Sequence, residues 1–283
     1  MKPSYLELEI SSNNENHEAI YNHLYIEGIN TFLEENGIIK IYFPETDFKN
    51  AEKIKNDLIH KLNITHSNIH LAKFENHNWN KEWEKTIGPV YIKDKIIIFP
   101  SWKKSKLKNT KGRILIQIDP KMSFGTGHNE STQLILEIMM DYMDEKDNYM
   151  LDYGCGTGIL SIAGVKLGLN KVIAIDTNND AIENAKENFE INGVSENTML
   201  NKADITEINE TNFDVISANI SIGVISANLK NIYNKLKTGR KLFATGILTE
   251  EKDEFAEHLG NNNFSIVVIK EKADWAGFYC IKK

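Results

Sequence analysis

Arginine is scarce: among the 33 basic residues only Arg113 and Arg240 are arginines, and the rest are lysines. The guanidinium fork is the preferred clamp for phosphate, so its scarcity argues against a site built around phosphate groups. Net charge is −7, with acid and base interleaved and no basic block, so direct binding to nucleic acid is not expected. Cysteine is almost absent too. Cys155 and Cys280 lie far apart and lack a metal-ligand spacing, which leaves neither a disulfide framework nor a metal site in view. No apolar run approaches the length that spans a bilayer. The opening "MKPSYLELEI" has no signal-type apolar core, and together these features point to the reducing cytoplasm with no membrane partner; a monomer is the expectation. Proline is missing after residue 120, since all 5 prolines (Pro3, Pro44, Pro89, Pro100, Pro120) precede that point while most glycines follow it. Two parts of different construction are implied.

The first part, residues 1–75, reads as a small α+β unit. "YLELEI" alternates like a strand, and "NENHEAIYNHLYIEG" carries helical apolar spacing. "INTFLEE" and "GIIKIYFP" flank "ENG" as a hairpin. "DFKNAEKIKNDLIHKLN" opens on the N-cap type residue Asp47, and "SNIHLAKF" closes as a strand. The order βαββαβ is that of a ferredoxin-like fold. A connecting segment, residues 76–112, holds Trp79, Trp83 and Trp102, best read as apolar filling, and two short strands around "KD". From residue 113 to 283 strands and helices alternate, beginning with "RILIQI", "YMLDY", "KVIAID" and "FDVISANI". Repeated βα units build a mainly parallel, doubly wound α/β sheet, with the ligand at the carboxyl ends of the strands near the switch point.

"LDYGCGTG" follows one such strand and opens a helix. Gly154, Gly156 and Gly158 let the chain turn tightly and bring main-chain N–H groups to a ligand. The spacing is GxGxG, with Ile159 where the dinucleotide motif GxGxxG would have its third glycine. That departure counts against the rival reading, an NAD-linked oxidoreductase. Asp152, just before the loop, favours a ligand carrying a positive amino group over one carrying a pyrophosphate. Asp176 ends the next strand and can accept both hydroxyls of a ribose, although an isolated Asp there would equally cap the following helix. Asp204 in "NKAD" can accept from an adenine amino group, or be plain surface charge. A second glycine stretch, "SFGTGHNEST", precedes the first helix of this domain; Phe124, Gly125, Thr126 and Gly127 would fold over the same crevice. Thr132, one turn into the helix, can donate its hydroxyl there, or be an ordinary helix-start residue.

These stretches, with "VIAIDTNNDAIENAKENFEINGV" and "TGIL", resemble the ribosomal protein L11 methyltransferases (PrmA), most strongly from about residue 113 to 250. The resemblance implies a Rossmann-like class I methyltransferase domain behind a ferredoxin-like substrate-recognition domain. The cofactor implied is S-adenosylmethionine, and the substrates implied are lysine side-chain and N-terminal amines of ribosomal protein L11. It also implies that Thr132, Gly154, Asp176 and Asn219 contact the cofactor. Asn219 ends "FDVISANI", where its amide oxygen would hold the target nitrogen, so it is the candidate catalytic residue; read alone it is a turn residue at a strand end. A glutamine or DNA-adenine methyltransferase would want Asn-Pro-Pro-Tyr there, and the chain has Asn-Ile-Ser-Ile. Two departures stand out. His128-Asn129-Glu130 replaces the family's Thr-His-Pro, and Thr238-Gly239-Arg240 replaces a Pro-Gly-Gly turn. Within methyltransferases, another protein lysine or a small-molecule amine is the alternative substrate.

Overall fold

The computed structural model describes every residue except 1–4, 12–16, 28, 30–32, 36, 63, 75–87 and 120–126. Trp79, Trp83, Phe124, Gly125 and Thr126 therefore lie outside the described residues. Two compact units divide the chain, Met1–Thr86 and Ile87–Lys283.

In the first unit β1 (Tyr5–Ser11), α1 (His17–Ile26), β2 (Leu33–Glu35), β3 (Ile38–Pro44), α2 (Phe48–Lys61) and β4 (Ile69–Phe74) follow one another. The sheet order is β2-β3-β1-β4 with every neighbour antiparallel, the ferredoxin-like arrangement. Alternation decides the faces. Leu6, Leu8 and Ile10 of β1 and Ile39, Ile41 and Phe43 of β3 are buried, and Ala51, Ile54 and Leu58 of α2 cover them at helical spacing. On the other face the residues directly opposite pair by charge or hydrogen bond: Lys40 with Glu9 at 2.8 Å, and the Tyr42 hydroxyl donating to Glu7 at 2.6 Å. Asp47 does stand at the start of α2, but its carboxylate accepts from the Asn50 side chain at 3.1 Å instead of a backbone N–H.

The second unit begins with a three-stranded sheet, β5 (Val90–Ile92), β6 (Ile96–Phe99) and β7 (Ile114–Gln117). "RILIQI" therefore does not enter the large sheet: β7 pairs in parallel with β6. The side chain of Asn192 holds it, donating to the Gln117 carbonyl at 2.8 Å and accepting from the Gln117 N–H at 2.9 Å.

The large sheet has seven strands: β8 (Tyr149–Tyr153), β9 (Lys171–Asp176), β10 (Thr198–Lys202), β11 (Phe213–Asn219), β12 (Leu236–Leu248), β13 (Phe264–Lys272) and β14 (Trp275–Lys282). Their order is β10-β9-β8-β11-β12-β14-β13, parallel except that β14 runs against both neighbours. One face carries α3 (Glu130–Tyr142), α4 (Ile159–Lys166) and α5 (Asn179–Asn192); the other carries α6 (Ile222–Ala227), α7 (Leu229–Lys235) and α8 (Lys252–Asn261). The strands read as continuous apolar runs because both faces are covered. Met150, Val172, Ala174, Val215 and Phe243 point into one core, while their neighbours Leu151, Ile173, Ile175, Ile216 and Leu242 point into the other. The strand order reverses between β8 and β11, so their carboxyl ends open a crevice there.

Candidate functional site

Tyr153 ends β8, and the chain turns through Gly154–Gly158 into α4. The Gly154 and Cys155 N–H groups both donate to the Ile175 carbonyl at 2.9 Å, which ties the loop to the end of β9. Two glycines are obligatory. Gly154 has φ +75°, and a Cβ there would meet Ile220 Cγ2 at 2.4 Å. Gly158 has φ +78°, and its Cβ would meet the Phe189 ring of α5 at 2.4 Å. Close helix packing, the task of a dinucleotide motif's last glycine, is thus done by Gly158, and Ile159 is free to be a core residue.

The carboxylates divide their work. Asp176 accepts from the Gly156 N–H through Oδ2 and from the Asn178 N–H through Oδ1, both at 2.9 Å. The cap of α5 is Asn178, whose side chain accepts from Asp180 N–H at 2.7 Å, so Asp176 is not spent on capping. A carboxylate offers about four lone-pair sites, and the remaining ones of Asp176 border the cavity described below. Asp152 lies beneath the loop, fully buried, and does not line the cavity. It accepts from the Ser161 N–H at 3.0 Å, the Ser161 hydroxyl at 2.6 Å and the Ser217 hydroxyl at 3.4 Å, and so fastens the first turn of α4. Burial, only partly offset by these bonds, pushes its carboxyl up to about 6. For Asp204 burial pushes the pKa up, but bonds from Thr206, Tyr153 and the Ile205 backbone outweigh it and hold it below the usual range.

A cavity of about 620 Å³ opens at this crevice, bordered by Gly154, Gly156, Asp176, Asp204, Thr132 and Asn219. Residues 87 positions apart meet here: Asn219 Nδ2 donates to the Thr132 hydroxyl at 3.2 Å. That bond sets the amide, and leaves the buried Asn219 Oδ1 without a partner among the described residues. The Ser131 hydroxyl beside it is buried, borders the cavity and is likewise unpartnered. Gly127 does not border the cavity; a Cβ on it would meet Ile98 at 2.8 Å, so it packs against β6. His128 Nε2 bonds the Gly88 carbonyl at 3.0 Å, which makes it a loop anchor.

Ser131, Tyr153, Gly246 and Trp275 also border the cavity and were not singled out from the sequence. Ser131 had a signal, its place beside Thr132. Gly246, within "TGIL", lies beside the Ile220 backbone at the end of β11; Trp275 had none, because it reaches the crevice only through the pairing of β12 with β14. Both cysteines are free and buried, and burial pushes the Cys155 thiol well above its ordinary value. Among the described residues one grouping, in the first unit, assembles metal-type ligands, His23, Glu27 and Asp57. Lys53 bonds Glu27 at 2.5 Å and Lys61 pairs with Asp57 at 3.0 Å, so these carboxylates serve ion pairs. No helix among the described residues is long and apolar enough to cross a membrane.

Residues 4–283 match the family model for "Ribosomal protein L11 methyltransferase (PrmA)". A ribosomal protein L11 methyltransferase of Caldicellulosiruptor saccharolyticus is 34% identical over 253 residues, covering 87% of this chain and 82% of the relative. One from Bacillus subtilis is 31% identical over 271 residues, covering 94% and 86%. Among solved structures, a ribosomal protein L11 methylase of Lactobacillus delbrueckii subsp. bulgaricus superposes with a TM-score of 0.65 at 26% identity, over 70% of this chain and 100% of that one.

Proposed function

The chain belongs to the ribosomal protein L11 methyltransferase (PrmA) family, and we propose that it methylates lysine amines of ribosomal protein L11 at Asn219. The cofactor is S-adenosylmethionine, which supplies an electrophilic methyl group on a sulfonium. The residues present suit it. Asp176 keeps acceptor sites for ribose hydroxyls, Asp204 offers a carboxylate one strand further on, and the few fixed charges bordering the cavity are negative, which matches a cationic ligand.

The single observation that carries the reading is the unpartnered, buried Asn219 Oδ1, held by the bond from its own amide nitrogen to Thr132. A buried acceptor without a partner costs about 1 to 3 kcal/mol, and an incoming amine removes that cost. Free lysine has a pKa of about 10.4, so the neutral nucleophile is scarce at neutral pH. An apolar wall that includes Ile220, Val224 and Trp275 desolvates the amine and lowers that value. Asn219 then accepts an N–H and turns the nitrogen lone pair toward the methyl. With the reactants aligned, positioning supplies part of the barrier reduction, up to about 7 to 11 kcal/mol. His128 anchors its loop through the Gly88 carbonyl and does not border the cavity, so no side-chain base is assigned.

The experiment is mass spectrometry of ribosomal proteins after incubation with labelled cofactor. Label on lysines of L11 is expected. Label confined to another protein or to a small amine would move the reading to that substrate.

Two consequences follow from the division of the chain. Asp176→Ala should weaken S-adenosylmethionine binding at least about tenfold, or about 1.4 kcal/mol; calorimetry returning the wild-type affinity from a folded variant would remove Asp176 from the site. The first unit recognises the protein substrate and adds nothing to the cofactor pocket, whose described bordering residues come from the second unit. A chain starting at Ile87 should keep its cofactor affinity within about threefold, a change under 1 kcal/mol, and lose activity on L11. Full activity in the shortened chain would place recognition elsewhere. The protein is expected to act as a monomer in the cytoplasm.

A further inference from the structure

Tyr153 is 4% exposed, yet its side chain reaches the cavity border. Its hydroxyl donates to Asp204 Oδ2 at 3.2 Å and accepts from Asn228 Nδ2 at 3.1 Å. Asn228 is itself turned by Asn231, whose amide nitrogen donates to Asn228 Oδ1 at 3.0 Å. The chain of bonds therefore runs one way, from Asn231 through Asn228 and Tyr153 to the carboxylate. Because Asn228 fills a lone pair of the phenol oxygen, the O–H hydrogen is directed at Asp204, and each bond polarises the next. The other carboxylate oxygen, Oδ1, is taken by the Thr206 N–H at 3.0 Å and the Thr206 hydroxyl at 2.9 Å. Both oxygens are thus held from the protein side, and the carboxylate borders the cavity, where a donor of the ligand can meet it.

We propose that Tyr153 is a positioning residue that fixes the Asp204 carboxylate to accept from the exocyclic amino group of adenine, and thereby sets the base specificity of the cofactor site. This rests on the cavity being the S-adenosylmethionine site. The phenol suits the task. Burial, together with the adjacent Asp204 charge, pushes its pKa well above the ordinary value, so it remains a donor at any working pH. An untethered carboxylate would swing toward solvent and read the base weakly. A fixed one discriminates sharply, because a base with a carbonyl in place of the amino group would set two acceptors against each other.

Base preference separates this role from a simple brace between β8 and the loop after β10. Calorimetry with S-adenosylhomocysteine and S-inosylhomocysteine on the full chain reads it directly. The wild type should prefer the adenosyl ligand by at least about tenfold, since an acceptor is left facing an acceptor in the inosyl complex. Tyr153→Phe should cut the preference to about two- or threefold by weakening the adenosyl ligand, while the inosyl ligand binds nearly as before. Asp204→Asn, which offers an N–H, should reverse it. If Asp204→Asn loses the preference and Tyr153→Phe keeps it in full, Tyr153 is only a brace and the inference is overturned. If Asp204→Asn also keeps the preference, the amino group is not read by Asp204, which overturns the inference, while tight binding of the adenosyl ligand would leave the methyltransferase reading standing. Should Tyr153→Phe fail to fold, Asn228→Leu carries the test: it retains the phenol and frees its hydroxyl, and should reduce the preference part-way. An unchanged preference in a folded Asn228→Leu protein would equally overturn the proposal.

Discussion

Lys241→Met should lower the free energy of unfolding by about 3 to 5 kcal/mol, the cost of leaving a buried charge without its partner. Lys241 is 6% exposed at the amino-terminal end of the parallel run of β12, on the opposite side of the sheet from the cavity. Its ammonium bonds Asp147 at 2.6 Å and Asp144 at 2.9 Å. Arg240 lies 3.5 Å from Asp147 and 3.4 Å from Asp214, and Lys237 bonds Asp214 at 2.8 Å. Asp147 and Asp214 are almost wholly buried. The departure of this chain from the family's Pro-Gly-Gly turn, Thr238-Gly239-Arg240, thus supplies one cation of a six-membered ion network. Urea denaturation of Lys241→Met alone and of Lys241→Met with Asp147→Asn checks the cause. The double variant should recover part of the loss, because both charges have gone. If it is no more stable than the single variant, lost packing and not lost charge explains the effect.

The sign of the pH dependence follows from the same contacts. The Lys241 bond is the first cause of the depressed Asp144 pKa, and for Asp214 the bonds from Lys237 and the Asn148 backbone, with the Lys237 and Arg240 charges, overcome burial in the same direction. A depressed carboxylate contributes stability above its unfolded value, about 3.9, that is lost as pH falls through the folded value. For Lys241 burial pulls the pKa down, but its two Asp bonds outweigh that and leave it raised, so its contribution is full below about 10.4 and lost as pH rises beyond. Across neutral pH the network is complete. The penalty of Lys241→Met should therefore be largest near neutrality and shrink toward pH 4, where the stranded carboxylates can take protons. An equal penalty at both pH values would contradict it.

What the sequence made legible was local or periodic. Strand after strand sends alternate residues into two cores, and that pattern, with GxGxG after "YMLD", was enough for the doubly wound sheet and the position of its crevice. Asp176 and Asn219 could be picked out because each ends a strand, and strand ends at a switch point border the crevice. Features that depend on pairing between distant segments were not legible. "RILIQI" looks like any other parallel strand, and only its pairing with Ile96–Phe99 puts it in a separate sheet. Asp152 precedes the glycines as Asp176 ends its strand, but alternation turns it inward onto Ser161 and Ser217. Tyr153 and Asn228 are 75 residues apart, and nothing in either neighbourhood marks them as partners.

Asn219→Ala should lower kcat on the protein substrate far more than it raises KM, by about 2 to 4 kcal/mol, by analogy with a lost oxyanion-hole donor. The Ile220 N–H donates to the Thr245 carbonyl at 3.2 Å and so fixes the chain just past β11. With the backbone set there and the amide nitrogen on Thr132, Oδ1 has one orientation, and it is buried at the cavity. An acceptor fixed in advance gains most when the nitrogen is aligned for transfer, and gains less in a loosely bound complex where the amine can turn. Interactions stronger in the transition state appear in kcat, and uniform binding appears in KM. Asn219→Asp preserves an acceptor oxygen and should retain more activity than the alanine variant, although its new charge will hold the amine protonated and cost part of the rate. The measurement must be made at saturating cofactor, because Asn219 also borders the cofactor cavity. If kcat then survives in Asn219→Ala and only cofactor affinity falls, Asn219 is a binding residue, and the alignment of the amine belongs to main-chain carbonyls nearby.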